Sequence, residues 1–373
     1  MFSRVKTAFV FLVVSLLLLG LPLAGVWLVG KPLAPYLAFP PLTRQISPAP
    51  FSGVVFAALA ALSLATVAGL ARVVMRAAYG VVARPPARGV SFPGWGWAGV
   101  IALAIAWTLA WARFPWFKGL QAYTFTPLWL AYIVVVNALS HRRTGHCLML
   151  DRPGYFAALF PLSALFWWYF EYLNRYVQNW YYAGIQQFGP EQYALFATLA
   201  FSTVLPAVLS TREWLASFAW LGQGAAGIWP VSMRHARRVA VAVLIGAGTA
   251  LAGVGVWPNV LFPVLWVSPL LIIVALQALM GEATLFAPLR SGDWRPVYLP
   301  ALAGLMCGFF WELWNYKSLA QWRYAVPWVQ RYEIFEMPAL GYLGYIPFGV
   351  ECAVIGGLLE RLLAGRAHMP CGR

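Results

Sequence analysis

Ten apolar stretches, separated by short polar segments, constrain this chain more than any other feature. They lie near 8–30, 53–75, 94–112, 124–140, 155–176, 192–211, 239–257, 262–281, 296–316 and 338–363. A helix needs about 20 predominantly apolar residues to cross the hydrocarbon core of a bilayer. The expected fold is therefore all-α: a polytopic integral membrane bundle of about ten transmembrane helices, with residues 1–373 forming a single transmembrane domain. Only 10% of the residues are charged, against roughly 25% in soluble domains.

The distribution of charge gives an independent reading of the same topology, because Lys and Arg concentrate in cytoplasmic loops. With the N-terminus inside, 18 of the 26 basic residues fall on the inner side, among them Arg84, Arg142, Arg237, Arg290 and Arg361. The other 8, including Lys31, Arg44, Lys118 and Arg331, fall on the outer side. This asymmetry predicts a bacterial inner-membrane protein with both termini cytoplasmic. A net charge of +15 carried in short loops between spans points to anionic membrane lipids as partners and away from nucleic acid. Arg4 and Lys6 before an apolar stretch have the form of a signal peptide, but the length of the stretch and the lack of an Ala-x-Ala site favour a retained span.

One motif is written twice. FWWYFEYLNRYVQNWYY holds Trp167, Glu171, Asn174, Trp180 and Tyr182; CGFFWELWNYKSLAQWRY holds Trp311, Glu312, Asn315, Trp322 and Tyr324. Each copy reads Glu-x-x-Asn followed by Trp-x-Tyr, and the carboxylate and amide three residues apart share a helix face. The match extends upstream, where Asp151, Arg152, Pro153 and Tyr155 stand beside Asp293, Arg295, Pro296 and Tyr298. Two four-helix repeats, 53–182 and 192–324, are expected, flanked by single helices at 8–30 and 338–363. An even number of helices per unit makes the repeats parallel, related by an axis along the membrane normal.

Ionisable groups inside a span are costly enough to mark function, so Glu171, Asn174, Glu312, Asn315 and Glu351 are the candidate catalytic residues. Trp167, Trp180, Tyr182, Trp311, Trp322 and Tyr324 are the candidate substrate-binding residues. Each has a plainer reading. The aromatic sets also describe an interfacial belt, and Glu171 has Arg175 one turn on, the spacing of an ion pair. Counted from Pro338, Glu351 lies about 20 Å into the membrane and must pair with another helix or be protonated. Asn137 and Ser163 read as hydrogen-bonding contacts between helices. Ser210-Thr-Arg-Glu213 has the form of a capping box opening an amphipathic surface helix. Glu336 before Met337-Pro338 reads as a charge at the start of the last helix.

No metal or other cofactor is expected. His141, His146 and Cys147 match no metal-site spacing, and all four histidines fall outside the spans, where they cannot serve as axial ligands of a haem within the bundle. Nucleotide, zinc-peptidase and serine-elbow motifs are missing from the sequence. The segments FFWELWNY and FEMPALGYLGYIPFGVE resemble a group of multi-pass bacterial membrane proteins, a resemblance that spans most of the chain and implies no activity. The acidic residues in aromatic-rich helices are similar in type to those of membrane-embedded isoprenoid and carotenoid cyclases and hydratases. Because the spans offer few polar groups, a lipophilic substrate fits better than a hydrated one. The first expectation is an enzyme or binding protein for an isoprenoid or lipid, with Glu as general acid and Asn as orienter. The alternatives are a proton-coupled transporter and a non-catalytic membrane subunit, with protein partners unspecified.

Overall fold

The computed structural model describes residues 2–41, 43–80 and 90–364. Arg84, Arg88, Arg366, His368, Cys371 and Arg373 lie outside them. Twelve principal helices follow in order: α1 (Phe2–Leu28), α2 (Gly53–Gly80), α3 (Gly94–Trp111), α4 (Phe125–Thr144), α5 (Pro153–Val177), α6 (Pro190–Phe201), α7 (Val204–Ala216), α8 (Ala219–Gly224), α9 (Ala236–Gly253), α10 (Ser268–Leu279), α11 (Arg295–Asn315) and α12 (Tyr345–Ala364). Among the described residues, seven helical segments are long and apolar enough to cross a membrane, and up to nine if each of two bent pairs counts as one span.

The difference from ten has physical causes. α5 is 25 residues long, but its second half is crowded with Trp, Tyr, Glu, Asn and Arg, and it is not one of the seven. The expected span at 262–281 is a 3₁₀ segment, Phe262–Trp266, meeting the short α10 in a pair bent by 54°. A second 3₁₀ segment, Pro115–Tyr123, meets α4 at 71°. The last helix starts at Tyr345, not Pro338: Met337–Pro338 form a strand, β4, paired with β3 (Glu333–Ile334), and Ala339–Gly344 are 3₁₀. Glu336 therefore precedes a strand and caps no helix. Glu351 sits about 9 Å along α12 from its first residue.

α5, α7, α11 and α12 make the centre of the bundle. α11 and α12 approach closely because glycines face each other across the contact: a Cβ on Gly349 would run into the Pro300 carbonyl, and one on Gly304 into the Tyr345 carbonyl. α3 packs on α4, α9 on α10, and α1 on α9. α2 stands at the periphery. None of its span is buried, and it is held mainly at its ends, by Ser52 donating to the Trp328 carbonyl at 3.0 Å and by Leu70 and Val73 against Tyr298 and Leu299.

The run 192–211 is divided into α6 and α7 by a break after Phe201. Backbone groups freed by a break must find partners inside an apolar bundle, and Ser163 of α5 supplies them. Its Oγ donates to the Phe201 carbonyl at 2.6 Å and accepts from Leu205 N–H at 3.0 Å. Asn137 links helices in a similar way, donating to Ser210 Oγ at 2.9 Å and accepting from Met149 N–H at 3.0 Å. That contact removes the expected capping box. Ser210 and Thr211 are buried inside α7, which runs on to Ala216 before the short α8, so no surface helix starts at Ser210.

At one end of the bundle Arg152 pairs with Glu360 at 2.9 Å, tying the start of α5 to the end of α12. Asp293 and Arg295 pair at 2.8 Å at the start of α11, and the guanidinium holds the Asp293 carboxyl below its ordinary range. α5 and α11 both begin at this end and both run toward the other. There β1 (Trp180–Ala183) pairs antiparallel with β2 (Gln321–Tyr324).

Candidate functional site

The Glu-x-x-Asn motifs occupy the last turns of α5 and α11, and the Trp-x-Tyr motifs are β1 and β2. In the register Trp180 lies opposite Tyr324 and Tyr182 opposite Trp322. Each strand thus places its Trp against the Tyr of the other.

The asparagines fasten each helix to its strand. Asn174 Oδ1 accepts from Asn179 N–H at 2.8 Å and Trp180 N–H at 3.3 Å, while its Nδ2 donates to the Trp180 carbonyl at 2.8 Å. Asn315 treats Trp322 alike, accepting its N–H at 2.9 Å and donating to its carbonyl at 2.8 Å. Both amides are buried and occupied by backbone. These bonds orient the strands that carry the aromatic residues.

Both glutamates are fully buried. Glu171 Oε1 accepts from Trp167 Nε1 at 3.2 Å, Trp180 Nε1 at 3.0 Å and the Tyr182 hydroxyl at 2.5 Å. Glu312 Oε1 accepts from the Tyr324 hydroxyl at 2.7 Å, the Tyr345 hydroxyl at 2.6 Å and, at 3.4 Å, Trp322 Nε1. The copies differ four residues before the glutamate. There the first has Trp167 and the second Gly308, and a Cβ on Gly308 would collide with the Tyr345 ring. The missing side chain admits Tyr345 from α12, whose phenol replaces the indole as a donor. In both copies Oε2 has no partner among the described residues.

The ion pair expected between Glu171 and Arg175 does not form. Arg175 donates to the Tyr36 carbonyl and lies over the Tyr172 ring at 5.3 Å, because the carboxyl turns inward to its indole and phenol donors. The aromatic sets gather round the carboxyls and the cavity. Trp180 and Trp311 are each 4% exposed, and Trp311 stands between the two sites, 5.0 Å from Trp129, 5.9 Å from Tyr345 and 6.4 Å from Trp167 between ring centres. Indoles and phenols with a buried carboxyl as acceptor have a stronger reason to face inward than outward.

These residues wall a cavity of about 560 Å³, a size at which small-molecule sites occur. Trp167, Trp180, Tyr182, Trp311, Trp322 and Tyr324 all line it, with Tyr345 and Trp266. Glu171 and Glu312 do not; each stands behind the aromatic side chains that donate to it. Tyr345 and Trp266 escaped the sequence reading because they lie outside both copies of the motif, although Tyr345 belongs to the aromatic run GYLGYIPF.

Glu351 stays apart. It is fully buried on α12, but neither carboxyl oxygen has a partner among the described residues. The expected hydrogen bond to the Glu312–Asn315 face or another polar group is absent among the described residues; the buried Tyr169 hydroxyl of α5 lies near enough to interact with the carboxyl electrostatically but makes no hydrogen bond to it. Among the described residues no three His, Cys, Asp or Glu side chains gather to hold a metal ion. Cys147, outside the spans, is a free thiol whose pKa is raised by burial.

No family model matches the chain, and no curated protein or solved structure shows significant similarity to it.

Proposed function

We propose that this chain takes up a lipophilic molecule of isoprenoid or lipid type in the aromatic cavity and alters it by proton transfer. The observation that carries the reading is the placing of two buried carboxyls behind one apolar cavity, each joined to it by phenols. A proton leaving the ligand for the oxygen of Tyr182, Tyr324 or Tyr345 displaces the phenol proton to Glu Oε1, and the reverse transfer returns it. Tyr182 and the Tyr324–Tyr345 pair serve different carboxyls, so one site can give a proton while the other takes one, and a change without net gain of protons needs no cofactor. The surrounding indoles favour positive charge developing on the ligand. Glu171 and Glu312 act through the phenols and are positioning residues; the phenols are the groups that touch the ligand.

The reading includes a duplication of 53–182 and 192–324. It is supported by the matched asparagine clamps, the reciprocal register of β1 and β2, and a bent 3₁₀–helix pair upstream of each motif, at 71° and 54°. It also includes a place in a bacterial inner membrane, supported by the charge asymmetry.

Mass spectrometry of lipid copurified with the protein tests the whole reading. Wild type is expected to retain an isoprenoid or lipid in substrate and product forms. Glu171→Gln and Glu312→Gln, which keep an acceptor at Oε1 and lose the proton site, are expected to retain the substrate form alone. Absence of any apolar ligand from wild type would overturn it.

A further inference from the structure

Resting on that reading, we infer that the cavity recognises an uncharged lipid bearing a hydroxyl group, anchored by Asn179 and Tyr193. Among the described residues no charged side chain lines the cavity, so a phosphate, carboxylate or ammonium headgroup would be desolvated there without a counter-ion. The ligand is therefore neutral in the part that enters.

Most polar atoms in the wall are already committed. The Tyr182, Tyr324 and Tyr345 hydroxyls donate to the glutamates, and the Thr66 hydroxyl donates to the Leu62 carbonyl at 2.8 Å. The indole N–H groups of Trp266 and Trp311 have no hydrogen bond among the described residues but can only donate, and two further residues are uncommitted. Asn179 is 4% exposed and lines the cavity. Its backbone is used, donating to Asn174 Oδ1 and accepting from Ala325 N–H at 2.7 Å. Its side-chain amide makes no hydrogen bond among the described residues, and its Oδ1 is buried and unpartnered. The Tyr193 hydroxyl of α6 is also buried and unpartnered, on a ring 6.1 Å from that of Tyr182.

An unsatisfied buried acceptor is destabilising relative to a paired one, and an aliphatic chain cannot satisfy it. A ketone or ether accepts from the amide or the phenol but leaves Asn179 Oδ1 unpaired. A hydroxyl both donates and accepts, so it satisfies the amide in either orientation and can also bond the phenol. Neither residue belongs to the glutamate relays, so both are free to hold the ligand's polar end while its chain lies along Trp180, Trp266 and Trp322.

The test measures binding to the full-length protein in lipid nanodiscs, read from quenching of the cavity indoles. The probes are a C20 prenyl alcohol, the hydrocarbon of the same skeleton and the corresponding diphosphate. The alcohol is expected to bind about tenfold tighter than the hydrocarbon, and the diphosphate not to enter. Asn179→Ala is expected to remove that preference with hydrocarbon affinity unchanged, and Tyr193→Phe, which deletes one oxygen and keeps the ring, to reduce it severalfold. Equal binding of alcohol and hydrocarbon to wild type, or equal loss of both in Asn179→Ala, would overturn the anchor and leave the lipophilic cavity standing. Failure of all three probes to bind would overturn the cavity reading and the anchor together. Should Asn179→Ala not fold, an unchanged preference in Tyr193→Phe overturns the anchor by itself.

Discussion

The asparagines, the motif glutamates and Glu351 show how differently three kinds of buried polar residue are used. Asn174 satisfies three backbone groups and Asn315 two, so replacing either with Ala leaves buried N–H and C=O groups without partners, at about 1–3 kcal/mol for each group. Asn174→Ala and Asn315→Ala are therefore expected to lower the thermal unfolding temperature more than Glu171→Gln or Glu312→Gln, which keep an acceptor at Oε1. Equal losses would show that the glutamates contribute as much to the fold as the clamps do. Glu351 makes no hydrogen bond whose loss could destabilise the protein. Glu351→Met replaces an unpartnered buried carboxyl with an apolar chain of similar size, so unfolding should be unchanged or shifted upward. A clear downward shift would reveal a structural contact and remove Glu351 from the candidates for function.

At the level of elements, the spans were legible because long apolar runs report helices, but each departure arose from a neighbour that a single run does not contain. The break between α6 and α7 falls inside one continuous apolar run, and it is sealed by Ser163 from α5, 38 residues earlier. Ser163→Ala is expected to destabilise the protein by about 1–3 kcal/mol, whereas Ser163→Thr, which keeps the hydroxyl, should cost less; similar melting of the two variants would remove this role. The capping-box pattern at Ser210 failed for the same reason, since a local pattern cannot show that Asn137 already holds that serine. The α11–α12 contact makes a parallel case. Gly349→Ala would press a methyl group into the Pro300 backbone and force the helices apart, displacing Tyr345 from Glu312. The expected outcome is loss of turnover with copurified ligand retained, read from the same mass spectra.

Across the whole molecule, the pairing of the two motifs was legible because both carry the same residue types at matching intervals and their helices run from the same end of the bundle. The cavity between them was not, since Tyr345, Trp266 and Tyr193 come from segments outside both copies of the motif. Orientation rests on charge alone, and the fold gives that argument a definite form. Arg152, Arg295 and Arg361 lie at the end where α5 and α11 begin and α12 finishes, while β1, β2 and the cavity's strand wall lie at the other. Basic residues collect on the cytoplasmic side, so the strand end should face outward and the cavity should open toward the outer half of the bilayer. Single cysteines introduced near residues 45 and 330 are expected to react with a membrane-impermeant maleimide added to intact cells. Those in the loops near Arg84, Arg142, Arg237 and Arg290 should react only after the membrane is opened, with the native cysteines replaced throughout. The opposite pattern would invert the protein and put the glutamate relays on the cytoplasmic side, while labelling of both sets from outside would remove the charge asymmetry as a guide to this fold.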